Sequence, residues 1–277
     1  MEKIAVLGPK GTFSDNAATE YINKNNKHLQ KIYYNTIDDT FHSIGKDCDL
    51  GIIPVENTLD GFVQRTLDLL LEMDIHINCE ISVPVQFALI GNVEDVKDIK
   101  RLYVQFKANG QCRTFIDSLS NVMVVGTNSN MESFNVVESG SAGDAAIIPC
   151  HMVEHSKAKL KIHNVTDSAN NFTRFIVVEK GNYVQNIENG KLLKVSLYIM
   201  PQEDRPGILY DILKEFSVNK INMVAIMSRP TKVDMGKYNF YIELSGEYKQ
   251  KETILSVLSE INKNYGLKIL GFYNICD

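Results

Sequence analysis

Three short segments of this chain group residues able to bind an anion or to deliver a proton. Gly8-Pro9-Lys10-Gly11-Thr12-Phe13-Ser14 lies between a strand-like and a helix-like stretch. Its glycines let backbone amides approach an anion, Lys10 adds charge, and Thr12 and Ser14 add hydroxyls at a helix N-terminus. Pro54-Val55-Glu56-Asn57-Thr58 follows a strand directly, the place where polar ligand contacts gather in α/β folds. Asn170-Asn171-Phe172-Thr173-Arg174-Phe175 opens a strand, so Thr173 and Phe175 share one face while Arg174 points the other way. A hydroxyl beside an aromatic ring is a candidate shielded proton donor. Each segment also has a plainer reading: a βα turn, a helix-capping turn, and a strand with a surface arginine.

A fourth segment, His151-Met152-Val153-Glu154-His155, matches H-x-x-E-H, which on a helix puts two imidazoles on one face for zinc. No third ligand helix is marked, and the segment follows a short α/β strand. A solvated helix face is therefore expected, and His28, His42, His76 and His163 stand isolated with no role assigned.

The elements that must hold these segments alternate between strand and helix. Residues 4–7, 31–34 and 50–54 read as strands. Between and after them come a Ser14-capped helix with Ala17, Ala18, Tyr21 and Ile22 on one stripe, a helix over 36–45, and a helix over 61–73 with Val63, Leu67, Leu70 and Leu71 on one face. This is βαβαβα, a parallel sheet with helices on both sides. Residues 75–91 read as one long extended stretch or two strands, with Pro84 placing part of it at an edge. A second α/β set follows over 101–148, and 160–165 and 173–178 are the closing strands. Two lobes joined by extended crossovers imply a cleft between them. A catalytic domain is expected over 1–180, lobe one at about 1–78 and 166–180 and lobe two at about 79–165. The polar segment 181–191 reads as a linker. Residues 192–277 then give βαββαβ, a ferredoxin-like unit.

Composition narrows the function classes. The 277 residues fit one large domain or two smaller ones at roughly 150 residues each. With 44% hydrophobic and 23% charged residues the chain is not of the disordered class. A net charge of -5 argues against a nucleic-acid partner, which would want a basic face. No apolar run approaches the roughly 18 residues of a membrane span, so no membrane partner is expected. The N-terminus carries no signal-peptide core, so the expected location is cytoplasmic. Five scattered cysteines, an odd number without a C-x-x-C pair, exclude a disulfide scaffold and a zinc knuckle, and are expected as reduced, mostly buried thiols.

Taken in order along the chain, the segments resemble one family, prephenate dehydratase with a C-terminal ACT domain. The resemblance rests on Gly8–Ser14 as Gly-Pro-x-Gly-Thr-Phe-Ser, on Pro-Val-Glu-Asn at 54–57 followed by Gly61 and by Arg65-Thr66-Leu67-Asp68-Leu69-Leu70, on Gln111-Cys112, and on Asp167 before Asn171-Phe172-Thr173-Arg174-Phe175. In the C-terminal part it rests on Arg205-Pro206-Gly207-Ile208-Leu209-Tyr210, Ile221-Asn222 and Ser228-Arg229-Pro230. The family implies an α/β catalytic domain of two lobes like a type II periplasmic binding protein. It implies removal of water and carbon dioxide from prephenate to give phenylpyruvate, on the route to phenylalanine, with no metal or organic cofactor. Thr173 falls on the donor position. Glu56, Asn57 and Gln111 fall on the polar catalytic positions, and Thr12, Ser14, Asn128, Ser129, Asn171, Arg174 and Phe175 on the substrate side. Gly207, Ile208, Leu209, Asn222, Met227 and Ser228 fall on the ACT effector segment, implying a phenylalanine-like effector and a homodimer or homotetramer.

The chain departs from the family at two places in lobe two and one in the ACT segment. Ser-His-Pro-Gln is replaced by Val104-Gln105-Phe106-Lys107, which is expected to put an aliphatic side chain where the cleft would hold a hydroxyl. The Ser-Thr-Ala-rich helix start is Asn128-Ser129-Asn130-Met131. The glutamate before Ser-Arg-Pro is Met227, which removes an acceptor and a charge and is expected to weaken phenylalanine control. Alternatives to the dehydratase are an arogenate dehydratase, a prephenate decarboxylase that does not lose the hydroxyl, and a non-catalytic amino-acid sensor.

Overall fold

A computed structural model describes all residues except 184–186, 189–190, 204, 234–235 and 277. The expected linker 181–191 therefore falls partly outside the described residues. Lobe one is built from β1 (Lys3–Leu7), α1 (Phe13–Lys24), β2 (Gln30–Tyr34), α2 (Ile37–Ser43), β3 (Leu50–Asn57), the short β4 (Gly61–Phe62), α3 (Gln64–Glu72) and β5 (Ile75–Pro84). Lobe two follows as β6 (Phe87–Gly91), β7 (Arg101–Gln105), α4 (Phe106–Gln111), α5 (Arg113–Ser118), β8 (Met123–Thr127), α6 (Asn130–Glu138), β9 (Asp144–Pro149) and β10 (Leu160–Ile162). The chain returns to lobe one as β11 (Phe172–Lys180). The C-terminal unit is β12 (Leu192–Met200), α7 (Ile208–Val218), β13 (Asn222–Pro230), β14 (Tyr238–Glu247), α8 (Lys251–Asn264) and β15 (Gly266–Ile275).

The stretch 75–91 is two strands in two sheets. β5 stays in lobe one up to Pro84, while β6 belongs to the sheet of lobe two, ordered β10-β6-β9-β7-β8. The first crossover is thus at Val85 and Gln86, later than the boundary expected near residue 78. Gln86 ties it to the second crossover by donating to the carbonyls of Ser168 and Ala169. His151 to His155 form a 3-10 turn rather than an α-helix, so the two imidazoles do not gain the shared face a zinc site needs.

The C-terminal βαββαβ unit is continuous with lobe one. The larger sheet runs β13-β14-β12-β15-β5-β11-β3-β1-β2, and β15 lies parallel to β5 with Asn274 opposite Cys79 and Ile275 opposite Glu80. Gly271 permits this approach, because a Cβ there would collide with the Ile77 carbonyl oxygen. The pairing also brings Cys79 and Cys276 together as a disulfide, Cα atoms 5.9 Å apart. That corrects the expectation of five reduced thiols: a separation of 197 residues hides a pairing that only strand addition creates. Cys48, Cys112 and Cys150 remain free.

One hydrophobic core serves both units. Ile53, Val55, Leu67 and Leu70 of lobe one pack with Tyr198, Tyr241, Leu270 and Tyr273 of the C-terminal unit. Tyr198, Tyr241 and Tyr273 are fully buried, and each such side chain contributes on the order of 2–3 kcal/mol of gross burial. Helix α3 is gripped along its length. The Tyr198 hydroxyl donates to the Leu67 carbonyl at 2.7 Å, Arg229 donates to Asp68 Oδ1 at 2.7 and 2.9 Å, and Lys268 Nζ caps the helix end at the Leu71 and Met73 carbonyls. Burial would raise the Asp68 carboxyl, but Lys232 and Arg229 outweigh it and hold the group below the usual carboxylate range.

The Arg229 and Asp68 side chains are only 11% and 12% exposed. Asp68→Asn leaves the guanidinium without its counter-charge and is expected to lower stability by about 3 kcal/mol. Lys232→Ala removes a half-exposed partner of the same carboxylate and should cost under about 1 kcal/mol. Urea midpoints for the two variants check this; equal small shifts would show that the Arg229 pair does not hold the units together.

Candidate active site

The two lobes are linked by a chain of side-chain amides that ends on the Thr173 hydroxyl. β3 ends at Asn57 and β11 begins at Phe172, and their antiparallel register sets Thr173 opposite Asn57. Asn57 Nδ2 lies 3.0 Å from Thr173 Oγ1 and 2.9 Å from Asn171 Oδ1. Asn171 Nδ2 donates in turn to Gln111 Oε1 at 3.1 Å, at the end of α4 in lobe two. Asn171 is fully buried with both ends of its amide engaged, as a buried amide must be. Asn57 Oδ1 accepts the backbone amides of Leu59 and Asp60, which fixes its orientation. Thr58 clamps the start of β11 by bonding Phe172 at both N–H and carbonyl.

Thr173 therefore accepts from Asn57 and keeps its own proton to give away. A hydroxyl has two lone pairs and one donor, and the accepted bond orients the group and polarises its O–H. Asn57, Asn171, Gln111 and Thr173 are the expected site residues that the structure brings together.

The others are placed differently. Phe175, on the same side of β11 as Thr173, is buried against Ile4, Val6, Ile81 and Val83 and is a core residue under the site. Glu56 and Arg174 lie on the opposite face. The register passes from Arg174–Glu56 to Phe175–Pro54, leaving Val55 as an extra residue on β3, a bulge of the kind that re-aims neighbouring side chains. Arg174 donates to Glu56 and Glu80, and also to Glu243 of the C-terminal unit at 2.8 Å. Its side chain is 11% exposed. Burial lowers its pKa, but Glu243 and Glu80 more than reverse this and keep it charged. Arg174 is thus corrected from a substrate ligand to an interdomain residue, because its donors are taken by carboxylates. Sequence reasoning missed Glu80 and Glu243; the available signal was an acid in the middle of a strand, each between two apolar or small neighbours, Cys79 and Ile81, Ile242 and Leu244.

The helix N-termini expected to meet substrate are capped by side chains of the protein itself. Thr12 caps α1, accepting from the Asp15 amide and donating to the Leu7 carbonyl. Ser14 is buried beside it. The Gly11 amide, expected to meet a substrate anion, is taken by the Asp15 carboxylate, which also accepts from Lys31 and Tyr33. Ser129 caps α6 through the Glu132 amide, and the Asn128 amide donates to the Glu132 carboxylate. Asp167 caps α5 at the amides of Arg113 and Thr114.

Val104 is 1% exposed and packs in the core of lobe two with Leu102, Ala108 and Ile147. The expectation that it faces the cleft is corrected: alternation along β7 turns it inward. Gln105 occupies the N-cap of α4 instead, accepting from Lys107 and Ala108. Cys112 is buried, and desolvation pushes its thiol up to about 12. His151 contacts the Gly11 carbonyl at 3.1 Å and the Phe13 ring across the lobes. Burial lowers its pKa below the ordinary imidazole value. Among the described residues no group of His, Cys, Asp and Glu is arranged to hold a metal ion.

The expected effector residues have separate surroundings. Gly207, exposed, holds φ +86° at the N-cap of α7, an angle that favours glycine. Ile208 and Leu209 pack on the C-terminal core, and Asn222 donates to Ser245 Oγ. Ser228 pairs with Phe240 in the β13–β14 ladder. Met227 packs against the core shared with lobe one, so a glutamate there would be buried in the interface rather than offered to an effector.

Burial pushes the Asp15 carboxyl up, but the bonds from Lys31, Tyr33 and the Gly11 amide outweigh it and leave the pKa below its ordinary value. A carboxylate depressed in the folded state stabilises above its unfolded pKa of about 4. That stabilisation disappears as pH falls through the lower folded value. Between about pH 5 and pH 2 the wild type should thus lose stability more steeply than Asp15→Asn. Urea midpoints across this range test it, and parallel curves would detach Asp15 from acid stability.

Comparison with known proteins identifies the family. The family model described as prephenate dehydratase matches residues 4–183. The prephenate dehydratase of Methanocaldococcus jannaschii is 35% identical over 271 residues, 97% of each chain. The structure of prephenate dehydratase from Staphylococcus aureus subsp. aureus Mu50 superposes with TM-score 0.81 at 27% identity, covering 99% of this chain and 100% of that one. That of the Arthrobacter aurescens enzyme in complex with L-Phe gives TM-score 0.84 at 25% identity, covering 99% and 90%. With a family match across both lobes and a relative 35% identical over 97% of its length, this chain belongs to the prephenate dehydratase family.

Proposed function

We propose that the chain is a lyase that converts prephenate to phenylpyruvate in the interlobe cleft, with Thr173 as the proton donor. The observation that carries this is the Asn57–Thr173 hydrogen bond, which leaves the Thr173 proton unspent at the end of an amide chain linking both lobes. In the reaction the bond from the ring to the carboxylate breaks and carbon dioxide leaves. Its electron pair enters the ring, and the bond from the ring to the hydroxyl breaks. The departing oxygen takes a proton from the Thr173 hydroxyl and leaves as water, and Thr173 recovers a proton from solvent. Aromatisation supplies the drive, so positioning plus one donor suffices, and general acid help is typically worth about 10²–10⁴-fold. Neutral amides at Asn57, Asn171 and Gln111 orient the donor without setting negative charge beside a dicarboxylate. No described helix is long and apolar enough to cross a membrane, and we place the enzyme in the cytoplasm with its small-molecule substrate.

Thr173→Val is nearly isosteric and removes only the hydroxyl. Turnover is expected to fall more than about tenfold while the fold is kept. Assays with prephenate and with arogenate, with the products identified, check both donor and substrate; activity within about threefold of wild type would remove Thr173 from the chemistry.

We also propose that the C-terminal unit is an ACT regulatory domain that binds phenylalanine between two copies of the chain. The L-Phe complex of the Arthrobacter aurescens relative supports this. So does α7, whose Gly207 N-cap makes no side-chain cap bond and leaves amides to meet a carboxylate. A hollow of about 40 Å³ beside Ile208, lined also by Pro201, Tyr238 and Phe240, is too small for a phenyl ring unless a second chain adds a wall. Edge strand β13 exposes Val224 and Ile226, the kind of surface such a copy would cover. Calorimetry with phenylalanine should show binding, and sedimentation a dimer or tetramer; no binding at millimolar concentration would end the regulatory reading.

A further inference from the structure

We propose that Glu243, a residue of the C-terminal unit, is a positioning residue for the reaction in the cleft: it completes the carboxylate set around Arg174 and so holds β11 where Thr173 can donate. The proposal rests on the reading of Thr173 as the donor.

Thr173 and Arg174 are neighbours on one strand and point to opposite faces. Arg174 Nε and Nη2 donate to Glu56 on β3 at 3.1 and 3.0 Å, and Nη1 donates to Glu80 on β5 at 2.8 Å. Nη2 also donates to Glu243 on β14 at 2.8 Å. β3 and β5 are the two strands that flank β11, so the fork of Arg174 ties the catalytic strand to both neighbours and to the C-terminal unit at one point. A planar guanidinium passes on orientation as well as charge.

Glu243 is itself held firmly. It is 2% exposed and accepts the Tyr241 hydroxyl at 2.5 Å on the oxygen that meets Arg174. Lys194, also of the C-terminal unit, donates to Glu80. The cluster thus sets Arg174 and Lys194 against the buried Glu80 and Glu243 and the partly exposed Glu56. Low local dielectric makes the loss of one member costly to the geometry of the rest. The outcome that matters is at Thr173, one residue away, where a displacement of about 1 Å can cost about a hundredfold in rate. Glu243 meets β11 on the face opposite Thr173, so its effect is expected on kcat and not on KM.

Full-length Glu243→Gln, Glu243→Asp, Tyr241→Phe and Lys268→Met are compared with wild type and with Thr173→Val for kcat and KM on prephenate. Glu243→Gln should lower kcat about tenfold or more with KM within about twofold, an effect inside the range that misplacement allows. Glu243→Asp keeps the charge and should recover part of the loss. Tyr241→Phe keeps the carboxylate but frees it, and should lower kcat about threefold, within the same range; it decides the matter if Glu243→Gln does not fold. Lys268→Met cuts a different contact of the same interface and should leave kcat unchanged. Unchanged kcat in Glu243→Gln, or in Tyr241→Phe if that is the variant that folds, overturns the proposal while an inactive Thr173→Val leaves the donor standing. An equal kcat loss in Lys268→Met also overturns it, because docking in general would then be the cause. An active Thr173→Val removes the donor, and the role of Glu243 with it.

Discussion

A guanidinium taken out of water has to be met by carboxylates, and in this protein that requirement joins two folding units. Arg174 is buried between β3, β5 and β14, and no single unit supplies all of its partners. Desolvating such a charge costs several kcal/mol unless the geometry of its partners is good. The remaining structure is consistent with this constraint. The sheets merge at β15 and β5, Gly271 lets the backbones meet, and tyrosines of the C-terminal unit fill the core over Ile53 and Val55. The C-terminal unit is therefore part of the wall behind the strand that carries Thr173 and not an appendage on a linker.

On the other side of that strand the site is built from neutral groups. Asn57, Asn171 and Gln111 form one hydrogen-bonded line from lobe one, through a crossover, to lobe two. Such a line fixes direction without adding charge, which suits a reaction in which a carboxylate and a hydroxyl both leave a dianionic substrate. The helix N-termini nearby are already capped by Thr12, Asp15, Ser129, Glu132 and Asp167. Charge separation across β11 follows: ions face the C-terminal unit, and amides and one hydroxyl lie on the other face.

The same logic explains why several expectations about single residues changed while the family assignment did not. Val104 turns into the lobe-two core because strand alternation, not motif position, sets its face. Met227 turns onto the shared core for the same reason. Asp15 sits where an external anion was expected because a buried carboxylate at a helix N-terminus satisfies the same amide.

The sequence by itself determined the two α/β lobes, the βαββαβ unit and the segment that carries Thr173, because hydrophobic period, capping residues and turn glycines are local properties. It also placed Thr173 and Phe175 on one face and Arg174 on the other, since that follows from the pleat alone. What each face looks upon was decided only by tertiary structure. The contact of Glu243 with Arg174 spans 69 residues and that of Cys79 with Cys276 spans 197. Both depend on one strand joining the edge of another unit's sheet, an event set by surface complementarity and close backbone approach. No local pattern encodes such a meeting, so its participants read in the sequence as an acid in mid-strand and a scattered thiol.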